Sequence, residues 1–135
     1  MFLVDKLGIT STLAWHSGKV KRVVTSTLAA ETVALAYGMS EALYIREYIQ
    51  FCAGVRMPIL AVVDNKSLVQ NLASTHLVEE KRLRMEIGGL KEVIEDELVT
   101  VKWVPGGLRL ANGLTKVGAS VREMLEVVQG GYLNV

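Results

Sequence analysis

The chain has 135 residues, half of them hydrophobic, with 15 Lys and Arg against 14 Asp and Glu and a formal net charge of +1 at pH 7. That length suits one domain able to bury a core, and its apolar runs stay well short of the ~20 residues that a membrane-spanning helix needs. The near-neutral balance gives no global pull toward nucleic acid, so any such binding must come from local clusters. The single cysteine, Cys52, excludes an internal disulfide. Residues 1–5 lack the basic start and long apolar stretch of a signal peptide, so the expected setting is intracellular, in the cytoplasm or nucleus.

In chain order, residues 2–4, 9–15 and 20–24 read as three short strands of an antiparallel meander, broken by Lys6-Leu7-Gly8 and His16-Ser17-Gly18. A helix is predicted over 28–53, with Glu31, Leu35, Gly38, Ala42, Ile45 and Ile49 on one stripe and Gly54 closing it. Cys52 is expected to pack as a small hydrophobe near its end. Pro58 then opens Ile59-Leu60-Ala61-Val62-Val63, a run that reads as a strand buried on both faces. Helices follow over 65–73 and 79–97. Residues 98–104 alternate, with Val99, Val101 and Trp103 on the inner face, as a half-buried strand does. Pro105-Gly106-Gly107 breaks that strand, and helical stretches near 108–116 and 120–128 end the chain. No internal repeat or linker divides it, so a single α/β domain over 1–135 is expected.

Two carboxylates stand out. Asp64 ends the buried run, and in open α/β sheets ligands bind outside the carboxyl ends of such strands. The competing reading makes Asp64 the N-cap of the next helix. Glu31 interrupts an otherwise small or aliphatic stripe. Either it answers the helix dipole, or it points over the sheet toward Asp64. Two converging carboxylates make a site for a hard divalent cation such as Mg²⁺, the ion that serves phosphoryl transfer. Cationic residues gather at Lys19, Lys21 and Arg22 and again at Lys81, Arg82 and Arg84, with Trp15 and Trp103 as stacking surfaces for nucleic acid. The plainer reading is that these are solvated faces, that Trp103 is core, and that Glu79, Glu80 and Glu86 dilute the second cluster. His16 and His76 lie far apart in sequence, which argues against a zinc site.

The order of elements, together with Thr25-Ser26-Thr27-Leu28-Ala29-Ala30-Glu31, Val63-Asp64-Asn65-Lys66-Ser67, Glu80-Lys81-Arg82-Leu83-Arg84, Val101-Lys102-Trp103-Val104-Pro105 and Leu110-Ala111-Asn112-Gly113-Leu114-Thr115-Lys116, resembles the ribonuclease H domain of copia-type retrotransposon polyproteins. The resemblance covers nearly the whole chain. It implies a ribonuclease H-like mixed sheet flanked by helices and metal-dependent hydrolysis of the RNA strand of RNA–DNA hybrids. Such domains use four acidic residues around two metal ions. Glu31 and Asp64 match the second and third. The fourth falls on Asn112, which stands where an Asp is expected. The first belongs to an opening strand that corresponds to residues upstream of Met1. Asp5 is no substitute, because it falls at the end of what resembles the second strand.

These departures lower the charge available from about −4 to about −2, since the Asn112 amide offers an oxygen but no charge. Mg²⁺ dehydrates reluctantly and depends on carboxylates, so the resemblance implies one weak Mg²⁺ site on Glu31 and Asp64 and no efficient two-metal hydrolysis. The absent strand lies in the family between the second strand and the one ending at Asp64. Without it both neighbours expose unpaired edges, a route to association. Three function classes follow: a nuclease completed by a longer chain, a catalytically dead nucleic-acid-binding module, and a structural or interaction domain.

Overall fold

In the computed structural model, the structure describes residues 1–21, 23–75, 81–97, 99–106, 110, 118 and 120–132. Among them the chain is mixed α/β, in the order β1 (Phe2–Val4), β2 (Thr10–Thr12), α1 (Thr27–Ala53), β3 (Ile59–Val63), α2 (Lys66–Ala73), α3 (Lys81–Asp96), β4 (Val99–Trp103) and α4 (Arg122–Gly130). They fall into two compact units, one of Val20–Val104 and one of Met1–Lys19 with Pro105–Val135. Among the described residues, no helix is long and apolar enough to cross a membrane.

The unit Val20–Val104 is built on α1. The Ser26 side chain accepts from the Ala29 N–H at 3.1 Å and sets the start of the helix. Gly54 ends it at φ 69°, donating its N–H to Gln50 O, a left-handed cap that glycine adopts without a Cβ penalty. β3 and β4 pair in parallel, Ile59 with Val99 through Val63 with Trp103, and the Val104 N–H extends the ladder to Val63 O at 2.9 Å. Leu35 and Met39 of α1, Val63, Leu68, Leu90 and Val99 form one buried cluster, and Ala29, Leu83 and Ile87 form a second beside it. Helices α1 and α3 both pack on this two-stranded sheet.

The stripe that faces this core differs from the predicted one. Buried on α1 are Ala29, Thr32, Leu35, Met39 and Arg46, so the helix is turned about its axis relative to a stripe through Glu31, Gly38 and Ile45. Two polar members explain the difference. The Thr32 hydroxyl donates to Leu28 O at 2.7 Å, and the Arg46 guanidinium donates to Glu97, so neither is buried without partners. β3 is also buried on one face only. Leu60 and Val62 are 42% and 43% exposed, because the far face of the two-stranded sheet carries no helix among the described residues. Cys52 is exposed, near the end of α1, rather than packed.

In the other unit, β1 and β2 pair antiparallel, Phe2 with Thr12 and Val4 with Thr10. Asp5 shapes the connection: its Oδ1 accepts from the Leu7 and Ile9 N–H groups at 2.8 and 2.9 Å, and Gly8 takes φ 81°. Helix α4 ends at Gly131, φ 70°, whose carbonyl accepts from the Thr10 N–H at 2.7 Å. The predicted strand over 9–15 thus shrinks to three residues. The predicted third strand does not form at residues 20, 21, 23 and 24. Val24 instead packs against the Ala29–Leu83–Ile87 cluster, and Val23 is 90% exposed. The helix expected near 108–116 lies outside the described residues apart from Leu110.

Candidate metal and nucleic-acid site

Asp64 follows the last residue of β3 directly and is half-buried. It does not cap α2. That task falls to Asn65, whose side-chain oxygen accepts from the Leu68 N–H at 3.1 Å. The capping reading of Asp64 is therefore corrected, and its carboxylate has other surroundings. Its backbone oxygen accepts from the Trp103 indole N–H at 3.1 Å, which ties the carboxyl ends of β3 and β4 together.

Glu31 is the fifth residue of α1, beyond the first turn in which the helix dipole acts, and it is half-buried at the flank of the core face. Leu35, one turn later, belongs to the same buried cluster as Val63, the residue before Asp64. Both acids therefore flank the packing contact of α1 on β3. Among the described residues, no group of three or more His, Cys, Asp or Glu side chains is placed to hold a metal ion. Asn112, the third member of the predicted set, lies outside them.

Lys66, two residues after Asp64, approaches the Trp103 ring that is bonded to the Asp64 carbonyl. The Lys66 ammonium sits 5.9 Å from the centroid of the Trp103 ring, at the outer limit of a cation–π contact. Trp103 is on the inner face of β4 as the alternation predicts, yet 42% exposed because it ends the strand. It is therefore a surface ring rather than a core residue. The place of Lys66 in this group was not singled out by the sequence. The available signal was that Asp64, Lys66 and Trp103 all follow or end neighbouring parallel strands.

Lys19 and Lys21 are exposed and belong to different units. Arg22 lies outside the described residues, as do His76, Glu79 and Glu80. Lys81, Arg82 and Arg84 are exposed on the opening turn of α3, a helix with no acidic residue in that turn.

Comparison with family models, with curated proteins and with solved structures finds no match.

Proposed function

We propose that the chain is a retroelement-derived domain of the ribonuclease H type, with a metal site too poor in charge for efficient hydrolysis of RNA–DNA hybrids. The observation that carries this reading is the position of Asp64. It stands at the carboxyl end of a parallel strand, with the helix that bears Glu31 packed on that strand and its capping role taken by Asn65. That is the placement a ligand-binding carboxylate takes in an open α/β sheet. The five ordered motifs add support from the sequence.

In this reading Glu31 and Asp64 would hold a single Mg²⁺ weakly, and the chemistry supplied there would be Lewis-acid polarisation of a phosphate oxygen. Asn112 offers an amide oxygen where a third carboxylate is needed. The four-acid charge that balances two dications has no counterpart in residues 1–135.

A second reading, a catalytically dead nucleic-acid-binding module, is favoured by one specific feature. Lys81, Arg82 and Arg84 lie exposed together on α3, as residues that contact phosphates would. One experiment separates the readings: Mg²⁺ and Mn²⁺ titration of the 135-residue chain, followed by hybrid binding and cleavage. Saturable metal binding that disappears in Glu31→Ala and Asp64→Ala supports the first reading. Salt-dependent hybrid binding with no metal dependence supports the second. Absence of both removes the nucleic-acid proposal.

A further inference from the structure

The solvent side of α1 carries an aromatic stripe. Tyr37, Tyr44, Tyr48 and Phe51 are 51%, 74%, 64% and 89% exposed, and together they make up half of the chain's eight aromatic residues. At about 100° per residue these four positions fall within a sector of roughly 60°, diametrically opposite the buried Leu35, Met39 and Arg46. Scattered apolar residues on a surface are ordinary, but four large rings aligned over four helical turns form a contiguous patch of the kind that marks an interaction site.

We propose that this stripe is the interface of a homodimer in which two copies of α1 pair antiparallel about Tyr44. The charges beside the stripe are Glu41 and Glu47, both exposed, which repel the phosphates of nucleic acid and anionic lipid; they lie on opposite flanks of the stripe, outside the row of rings that a second copy would cover. The spacing is self-complementary. Tyr37 and Phe51 lie seven residues to either side of Tyr44, so a two-fold axis at Tyr44 sets Tyr37 of one copy against Phe51 of the other and Tyr44 against its own mate. Pairing the same face on both copies is what an isologous contact requires.

The area suffices. With about 200 Å² for each aromatic side chain, the exposed fractions amount to roughly 550 Å² per copy, or about 1,100 Å² for the pair, near the lower bound of specific interfaces. At that size the strength of the dimer depends on how well the rings pack rather than on area. This inference is independent of the metal site and of the nucleic-acid reading.

Sedimentation of the full 135-residue chain over a micromolar concentration series tests it. A concentration-dependent dimer is expected, weakened at least a hundredfold by Tyr44→Lys with Phe51→Lys at unchanged helical content. Because both side chains are exposed, their removal leaves the core intact; should the double variant unfold, Tyr44→Ser alone gives the milder test. A nitroxide on Cys52, the only cysteine and exposed, reads the orientation. Cys52 lies eight residues past Tyr44, about 12 Å along the helix, so antiparallel pairing separates the two labels by roughly 25 Å, against about 10 Å for parallel helices. A monomer at every concentration, a dimer indifferent to these substitutions, or a short label distance each overturns the proposal.

Discussion

Arg46 of α1 reaches across to Glu97, donating both to its carboxylate and to its backbone carbonyl, and so anchors the last third of the long helix to the turn between α3 and β4. Arg56 joins from the other side, its guanidinium 2.7 Å from the same carboxylate oxygen, and Glu47 lies 3.3 Å from Arg46. The Arg46 side chain is 3% exposed, and its Nε has no acceptor among the described residues. The Glu97 carboxylate and carbonyl, with Glu47, thus take the two terminal nitrogens of a guanidinium that is almost wholly withdrawn from water.

The first prediction follows from that asymmetry. Glu97→Ala removes the carboxylate and leaves the buried cation only the backbone carbonyl of residue 97 and the exposed Glu47, so it should lower the melting temperature. Arg46→Met removes the cation itself and should be close to neutral, since apolar groups of similar shape replace buried ion pairs with little loss. Adding Arg46→Met to Glu97→Ala should recover most of the lost stability. Thermal unfolding of the two single variants and the double variant checks this, and additive losses would contradict it.

The second concerns pH. Hydrogen bonding to Arg46 holds the Glu97 carboxyl below its usual range, with Arg56 adding to the effect. A folded-state pKa below the unfolded one means that the native state keeps this carboxylate ionised where the unfolded chain has taken up a proton. The contribution is complete above the unfolded value and disappears as pH falls through the depressed folded value. Unfolding followed from pH 7 down to pH 3 should therefore show a loss of stability that Glu97→Gln reduces.

The third separates two neighbours that the sequence could not separate. Asn65→Ala should cost about 1 kcal/mol by removing the cap of α2, with metal affinity little changed. Asp64→Ala should leave that cap in place and abolish any Mg²⁺ binding. Denaturant unfolding and metal titration on both variants give the comparison. Equal loss of metal binding in the two would mean that Asp64 has no special part.

What the sequence disclosed and what it hid divide along physical lines. The long helix, its Gly54 end, β4 and the terminal position of Asp64 were legible because capping residues and two-residue alternation are local signals. The orientation of α1 was not, since counting aliphatic residues misses Thr32 and Arg46, which are buried only because partners at Leu28 and Glu97 accept their hydrogen bonds. The two-sided burial expected for β3 failed for a tertiary reason: an apolar run cannot report whether a second layer covers it. Asn65 and Asp64 are both good N-caps by type, and only the hydrogen bond to Leu68 decides between them.

The fourth prediction tests the cationic turn of α3. Lys81→Gln with Arg82→Gln removes two exposed charges from the surface of α3, so stability should change by no more than about 0.5 kcal/mol. If these residues touch phosphates, affinity for an RNA–DNA hybrid should fall, and the slope of log affinity against log salt should flatten by roughly one unit for each phosphate no longer neutralised. Binding measured between 50 and 200 mM salt distinguishes this from a merely solvated face, for which neither quantity moves.

The fifth concerns charge at the proposed metal site. Asn112→Asp adds a third carboxylate to Glu31 and Asp64. A unit charge about 4 Å from a dication contributes roughly 2 kcal/mol in water, so Mg²⁺ affinity should rise on the order of tenfold or more. Hybrid cleavage should still not appear, because the first acid of a two-metal site remains unmatched in residues 1–135. Adding a strand with a central Asp ahead of Met1 should be ineffective alone and effective with Asn112→Asp, the non-additive behaviour of groups that act as one unit. Metal titration and hybrid cleavage for each change and for the pair provide the test. Cleavage by Asn112→Asp alone would require another carboxylate to serve as the first acid. Asp5 is poorly suited to that role, because its Oδ1 already accepts the Leu7 and Ile9 N–H groups that close the β1–β2 connection. In that event Asp5→Asn, which keeps the accepting oxygen but removes the charge, would abolish the activity if Asp5 supplies the acid and leave it intact if another group does.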